Sequence, residues 1–118
     1  MKNIQYKNIN FYIGSNANEN WKLLEDSKNI NDNYIWFHLN SFPSPYVIMY
    51  STLDQIKLDG SFCDIDNILT FGANLCKQHS KYKSMKNLKI IYAYLKNLSK
   101  GDSLGEVIIT GKKKYIQI

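Results

Sequence analysis

The chain of 118 residues carries a formal net charge of +5, and 44% of its residues are hydrophobic and 21% charged. We expect a single domain over 1–118 with a substantial core, because a domain of this size buries roughly two-thirds of its unfolded surface. No apolar run reaches the ~18 residues of a membrane span and no secretory signal is visible, so we expect a cytoplasmic protein with no membrane partner.

The charges are distributed unevenly along the chain. All 15 basic residues are lysines. The segment from Lys77 to the C-terminus holds ten lysines and two acids, a local charge of +8, whereas residues 1–76 hold five lysines and eight acids, a charge of −3. This asymmetry predicts a basic face that meets a polyanion.

The N-terminal part begins with short strand and helix signals. Residues 1–8 alternate weakly, which suits an edge strand or a loose arm. Residues 11–13 predict a short strand that stops at Gly14. Residues 15–26 predict a short helix, and a polar linker is expected over 26–33.

The turn at Gly14 leads directly into this predicted helix. Ser15 or Asn16 can cap its first turn, since short polar side chains accept hydrogen bonds from the free N–H groups there. Such a turn can also hold an anion on its backbone N–H groups, although most turns of this kind only cap. Capping is favoured, and phosphate binding stays open as the alternative.

The centre of the chain is the run YIWFHLNSFPSPYVIMY at 34–50, in which two apolar segments flank a polar bend. Residues 34–39 predict a strand, because they alternate and are rich in aromatic and β-branched types. Pro43 and Pro45 stiffen the bend, and a second strand is expected over 46–50. Alternation places Tyr34, Trp36 and His38 on one face of the first strand and Ile35, Phe37 and Leu39 on the other.

The strongest helical signal lies at 65–79, after an expected loop over 51–63. Its apolar positions recur with helical spacing, so one face should pack on the sheet. Gly72 costs about 1 kcal/mol relative to alanine in a helix, which indicates that it permits a close approach to the sheet. The stripe consists of Ile65, Ile68, Leu69, Gly72, Leu75, Cys76 and His79.

The rest of the chain predicts a lysine-rich connection over 80–87, a strand over 88–95 and two final strands. We expect these last strands, 106–110 and 114–118, to form a hairpin about Gly111. The predicted fold is therefore α+β: a mixed, largely antiparallel sheet with one main helix packed on it and a C-terminal hairpin.

Two motifs are specific enough to indicate a family. Gly14, Asn16 and Asn20 follow an apolar strand, and the IWFH run at 35–38 is followed after a short gap by Pro-Ser and a β-branched strand. This pattern resembles the NFACT-R domain, the RNA-binding domain of NFACT proteins, in its stand-alone form. The later strand IIYAYLK and the run GDSLGEVI are similar in order and spacing. Where many members have histidine, this chain has Tyr46.

The resemblance implies an RNA-binding module that contacts tRNA or ribosomal RNA on the large ribosomal subunit during ribosome-associated quality control. DNA binding through the same lysines is one alternative. Docking on a ribosomal protein, with the lysines merely solvated, is another. The motif positions carried over from the family are Gly14, Asn16, Asn20, Trp36, Phe37, His38, Ser44, Tyr46 and Val47.

The predicted nucleic-acid contacts lie in the lysine-rich part of the chain. Lysines bind phosphates, and a tyrosine between two lysines can stack on an unpaired base, as in many RNA-binding sheets. Tyr82 is expected to be the best exposed ring of this kind. The predicted contact residues are Lys77, Lys81, Tyr82, Lys83, Lys86 and Lys100.

Nucleophilic catalysis is weighed because His38 lies close to Ser41 and Ser44. No nucleophile-elbow glycine pattern surrounds either serine, so we expect that the chain is not an enzyme. His38 is expected instead to hold the bend through a hydrogen bond to a backbone group or to Ser44.

A zinc site is the other chemical alternative. Cys76 and His79 are three residues apart, and Cys63 and His38 could complete a Cys₂His₂ set. Cys76 and His79 lie on the apolar stripe, however, and Cys63 lacks a closely spaced partner ligand. We therefore expect two buried thiols, no metal and no cofactor.

Overall fold

The structure, a computed structural model, describes residues 1–59 and 64–118. Within these ranges helices and strands are numbered in chain order. The strands are β1 (Lys2–Tyr6), β2 (Ile9–Ile13), β3 (Ile35–Leu39), β4 (Val47–Met49), β5 (Lys89–Tyr94), β6 (Leu98–Lys100), β7 (Val107–Ile109) and β8 (Lys114–Gln117). The helices are α1 (Ala17–Ile30), α2 (Leu53–Leu58) and α3 (Ile65–Gln78), and a 3₁₀ turn covers Leu95–Asn97.

Six of these strands form one sheet in the order β1-β2-β4-β3-β5-β8. Every neighbouring pair is antiparallel. β6 and β7 form a separate two-stranded hairpin. The predicted α+β fold with a largely antiparallel sheet is confirmed, and a hairpin is present in the C-terminal part, although its strands, β6 and β7, are not the two that were predicted to pair. None of the helices in the described ranges is long and apolar enough to cross a membrane.

Both faces of the sheet are buried at its centre. The side chains of β3 alternate as predicted: Ile35, Phe37 and Leu39 join the core under α3 and α2, while Trp36 joins the core under α1 and the β6–β7 hairpin. We call these two sides of the sheet the α3 face and the α1 face. β4, between β2 and β3, is fully buried, which fits its run of three apolar residues.

Helix α3 packs its predicted stripe on the sheet. Ile68, Leu69, Leu75 and Cys76 are all buried. A Cβ at Gly72 would come within 2.5 Å of the Phe37 ring, so only glycine lets the helix lie this close to β3. The helix ends at Gln78, one residue before the predicted end, with His79 as its C-cap.

Helix α1 is longer than predicted and runs through part of the segment 26–33 that was expected to be a linker. Ser27 is fully buried, and its hydroxyl is hydrogen-bonded to the Tyr50 hydroxyl at 2.6 Å. The ammonium of Lys28 donates to the Leu98 carbonyl at 2.5 Å. These contacts to distant parts of the chain stabilise a polar last turn, which local sequence patterns cannot show.

Two other N-terminal and central segments gain regular structure. Residues 2–6 form β1, so the edge-strand alternative for 1–8 is the correct one. The expected loop over 51–63 contains α2, whose first turn is capped by Thr52 Oγ1 accepting from the Gln55 N–H at 3.0 Å. The end of that expected loop, 60–63, lies outside the described residues.

The last two strands pair differently from the predicted hairpin about Gly111. β7 pairs with β6, and β8 pairs with β5, with Tyr115 opposite Ile91. Gly111, at φ +85°, leads the chain from the small hairpin back to the main sheet. Pairing with β5 gives β8 a place in the main sheet, where Ile116 packs against the core of the α3 face.

Candidate nucleic-acid interface

The glycine and asparagine at the start of α1 are hydrogen-bonded to the start of β4. The Gly14 N–H donates to the Tyr46 carbonyl at 3.0 Å, and the Tyr46 N–H donates to Asn20 Oδ1 at 3.1 Å. Asn20 is buried, and a Cβ at Gly14 would meet its Oδ1 at 2.1 Å. The glycine is therefore required by the close approach of the asparagine, and the pair fixes where β4 begins.

The first turn of α1 is capped by its own side chains. Asn16 Oδ1 accepts from the Glu19 N–H at 2.9 Å, and Glu19 Oε1 accepts from the Ser15 N–H at 2.9 Å. The hydrogen bond from the Ser15 backbone is the main reason why the pKa of Glu19 lies below its usual value. Because a carboxylate already occupies this position, the geometry favours capping over the phosphate-binding alternative.

The bend between β3 and β4 is held by side-chain to backbone hydrogen bonds. His38 Nδ1 donates to the Leu39 carbonyl at 2.8 Å, the backbone bond that was expected of this histidine. The Leu39 N–H donates to Ser44 Oγ at 3.0 Å, and Ser44 Oγ donates to the Pro45 carbonyl at 3.2 Å. The serine proton therefore points to a carbonyl and not to an imidazole base.

Three rings form a cluster beside this bend. Trp36 and His38 are stacked, with centroids 5.3 Å apart and planes 4° from parallel, and Tyr46 is edge-on to both. Burial lowers the pKa of His38, so the ring is neutral at neutral pH. Nδ1 carries the proton that is donated to the Leu39 carbonyl, since a carbonyl oxygen can only accept.

Tyr46 ties the β6–β7 turn to this cluster. Its hydroxyl donates to the Gly105 carbonyl at 2.5 Å, and burial raises the pKa of the phenol. A second bond nearby, from Trp21 Nε1 to the Glu106 carbonyl at 3.0 Å, fixes the same turn to α1. The tyrosine found at the departure from the family pattern is thus a structural link between α1, β4 and the hairpin.

These elements enclose an open cleft of about 970 Å³ on the α1 face. Trp36, His38 and Ile91 of the sheet line it, together with the start of α1, the bend, the chain after α3 and the β6–β7 turn. A cleft of this size accommodates one or two nucleotides, since ligand sites are commonly ~300–1,000 Å³. Its apolar floor and polar rim suit a base and its sugar-phosphate backbone, respectively.

Four of the predicted lysines lie in one stretch of chain beside the cleft. Lys77 is half-buried in the last turn of α3, and Lys81, Lys83 and Lys86 are exposed in the following turn. Lys81 itself lines the cleft. Their positive charge therefore lies next to the opening in which a polyanion would be bound.

The other two predicted contact residues have intramolecular partners. Lys100, on β6, forms an ion pair with Glu25 and lies 5.0 Å from the centre of the Trp21 ring. Tyr82 is half-buried, its ring lies 4.7 Å from that of Phe42, and both rings line the cleft. Tyr82 thus forms part of the wall and is less exposed than the sequence suggested.

The remaining motif residues belong to the core and do not line the cleft. Phe37 and Val47 are fully buried on the α3 face. Their cross-strand pairing between β3 and β4 places them opposite each other beneath α3. The family motif therefore contains two kinds of residue: those that build the sheet and those that shape the cleft.

Metal chemistry has no support in the described part of the chain. No cluster of three or more metal-ligating side chains occurs among these residues. Cys76 is a buried thiol, as predicted, and burial raises its pKa to about 12. The expectation for Cys63 lies outside the described residues.

Sequence reasoning missed one exposed group on the same face as the cleft. Lys89 and Tyr115 lie on β5 and β8, and the register places them on the side of His38 and Ile91. The ammonium of Lys89 lies 6.0 Å from the centre of the Tyr115 ring. The alternation in KYIQI indicates that Tyr115 and Gln117 share one face of a strand. Because the sequence analysis paired this strand with 106–110, it did not place Tyr115 beside the cleft.

Comparison with solved structures shows a related fold. The structure of the C-terminal part of the fibronectin/fibrinogen-binding protein of Streptococcus suis matches with a TM-score of 0.75 and 23% sequence identity. The match covers 93% of this chain and 40% of that chain, so the present protein spans less than half of that structure. A search of curated proteins gives no match.

The comparison with family models identifies the chain. The model described as the NFACT protein RNA binding domain matches residues 3–116, nearly the full length. The description of this family is that of an RNA-binding domain. The match includes the Gly14 turn, the β3 motif and the C-terminal strands together. The chain belongs to the NFACT RNA-binding domain family.

Proposed function

We propose that this chain binds RNA, specifically tRNA or ribosomal RNA, and that it acts in ribosome-associated quality control without catalysing a reaction. The family match over residues 3–116 carries the proposal. The charge of the C-terminal part supports it, because ten lysines against two acids attract a polyanion.

The geometry of the cleft supports an RNA ligand over a small apolar one. Its floor offers the partly exposed His38 ring, which is stacked on the buried Trp36, and its wall offers the Phe42 and Tyr82 rings. Lys81 supplies a cation at the rim. Aromatic surface beside lysine is the combination that proteins use to hold bases and phosphates of flexible nucleic acids.

The arrangement of hydroxyl and imidazole groups supports a binding role over hydrolysis. Ser44 donates its proton to a carbonyl, and His38 uses Nδ1 to hold the bend. A serine nucleophile would need its proton taken by a base, and this pair does not have that arrangement.

Filter binding with single-stranded RNA, tRNA and duplex DNA, at matched salt, tests the proposal. We expect tRNA or single-stranded RNA to bind more tightly than duplex DNA of equal length. Stronger binding of the duplex DNA would favour a DNA-binding module. Absence of binding to all three at low salt would contradict the proposal and favour docking on a ribosomal protein.

The ribosomal context needs a separate experiment. The protein is mixed with purified large ribosomal subunits and sedimented through a sucrose cushion, with small subunits as the control. We expect it to sediment with large subunits and to be released by added salt, because the contacts are electrostatic. Equal sedimentation with both subunits would contradict the large-subunit assignment while leaving RNA binding intact.

A further inference from the structure

The α1 face of the sheet is left open at its β8 edge. Three side chains there are exposed and lie on this face: Lys89 on β5 and Tyr115 and Gln117 on β8. Tyr115 is opposite Ile91, which lines the cleft, and Lys89 is opposite Gln117. We call these three residues the open strip. It continues the floor of the cleft toward the edge of the sheet.

Tyr115 is exposed, whereas Ile116 and Ile118, which follow it in the sequence, are partly buried. Ile116 and Ile118, on the other side of the strand, pack against the core of the α3 face and anchor β8. Tyr115 is 48% exposed, which is high for a large ring on a sheet. The packing of the fold therefore leaves one face of this ring available to a ligand.

The chemistry of the open strip fits one kind of ligand. The ring offers a stacking surface, the ammonium of Lys89, 6.0 Å from the ring centre, offers a phosphate contact, and the Gln117 amide offers both a donor and an acceptor. Together these groups match a base, the phosphate beside it and a base edge. Among protein partners, only an acidic one would bind the Lys89 ammonium.

We propose that an unpaired nucleotide of the bound RNA stacks on Tyr115, with Lys89 contacting the adjacent phosphate, and that the RNA strand continues over Ile91 into the cleft at His38. This rests on the proposed function and names its substrate class: single-stranded or looped RNA. A continuous duplex does not present a free base face to the ring, because its bases are stacked on one another.

The test uses a stem-loop RNA, the same stem-loop with abasic loop positions, and a fully paired duplex. The abasic RNA keeps its phosphates but loses the bases, so it separates stacking from charge. We expect the wild-type protein to prefer the intact loop. Tyr115→Ala should weaken that binding by at least about 5-fold, the lower end of what one stacked base contributes. Tyr115→Phe should retain it.

A matched control is Ile108→Ala on β7, because Ile108 is also 48% exposed but has no ring. It should leave affinity for the stem-loop unchanged. Lys89→Gln should reduce the slope of log K against log salt by about 0.7, one phosphate contact on a single strand. Thermal melting of each variant checks that the fold is retained.

The outcomes separate this inference from the proposed function. If the wild-type protein binds the stem-loop and Tyr115→Ala binds it equally well, the open strip is not a base site, although RNA binding stands. If the duplex or the abasic loop binds as tightly as the intact loop, the preference for unpaired bases is wrong. If no RNA binds, the proposed function itself fails.

Discussion

Replacing Asn20 by alanine tests the structural interpretation of the N-terminal family motif. Asn20 is 7% exposed, and its Oδ1 accepts the Tyr46 N–H at 3.1 Å. The alanine variant leaves that buried N–H without its partner. We expect the variant to be less stable but still able to bind RNA, because this asparagine borders the cleft only with a nearly buried side chain whose oxygen is engaged with β4.

The magnitude follows from two opposing contributions. A buried donor left unsatisfied costs about 1–3 kcal/mol. Alanine recovers up to about 0.7 kcal/mol, because it has a higher helix propensity than asparagine. The net loss in unfolding free energy should therefore be about 1–2 kcal/mol. For a chain of this size, each kcal/mol lowers the melting temperature by about 3–6 °C.

Urea unfolding followed by tryptophan fluorescence measures the change. The matched control is Asn18→Ala, two residues earlier in the same helix, where the side chain is exposed. Both variants gain the same helix propensity, so their difference isolates the buried hydrogen bond. The m-value should stay constant, since neither substitution alters the surface exposed on unfolding.

Equal stability of the two variants would refute the reasoning, because it would mean that the bond from Tyr46 contributes nothing. A different result would also overturn it: loss of RNA affinity in Asn20→Ala at unchanged stability. In that case the asparagine would be a direct contact, and the motif at the start of α1 would belong to the binding surface.

Three further outcomes follow from the charges and buried groups of the cleft. Four lysine contacts predict a slope of log K against log salt of about −3 for single-stranded RNA. Changing Lys81, Lys83 and Lys86 to glutamate should abolish binding without lowering the melting temperature, and a salt-independent affinity would contradict this. The variant His38→Gln should lose about 1 kcal/mol of stability and keep most RNA affinity. Because burial lowers the pKa of His38, its contribution is present above pH 6.5, and the difference from wild type in urea titrations should shrink below that pH. Tyr46→Phe should lose about 1 kcal/mol, because the carbonyl of the partly buried Gly105 loses its tyrosine donor. Since burial raises the pKa of Tyr46, the stability of the wild-type protein should also fall as the pH rises above 10. An equally steep fall in Tyr46→Phe would show that Tyr46 is not the group responsible.

A control of equal charge accompanies the triple lysine variant. Glutamate at Lys2, Lys22 and Lys57, all exposed and all within residues 1–76, changes the net charge by the same amount. That variant should bind RNA more weakly than wild type but far better than the variant beside the cleft. Equal loss in both would show that net charge alone, and not the position of the lysines, attracts the RNA.

The strand patterns and the main helix were predictable because local periodicity determines them. Alternation assigned every residue of β3 to the correct face, and the stripe of α3 identified the side that packs. Gly72 was correctly interpreted as a site of close approach because a helix interior rarely keeps glycine without a packing reason. The core of the α3 face could therefore be predicted from the sequence.

The remaining features depend on contacts between distant parts of the chain. The last turn of α1 is polar, and Ser27 is buried there because Tyr50 supplies a hydroxyl partner. Glycine at position 111 is typical of a hairpin turn, yet β8 pairs with β5 and not with β7. Local sequence patterns do not determine which distant strand is the neighbour. Tyr82 and Tyr115 each follow a lysine in the sequence, so the local pattern is the same for both. In the structure Phe42 packs on Tyr82, which makes that ring part of the cleft wall, while Tyr115 stays on the open surface.

The position of the open strip has a consequence for how this surface can change during evolution. β3 and β4 are enclosed on both sides, so substitutions there alter the core at the same time as the site. β8 is held by its pairing with β5 and by Ile116 and Ile118, which pack on the α3 face. Tyr115 and Gln117, which lie on the α1 face, are exposed and do not contribute to the core. If the open strip contacts RNA as proposed, substitutions at positions 115 and 117 can change the preferred ligand while folding stability stays nearly constant.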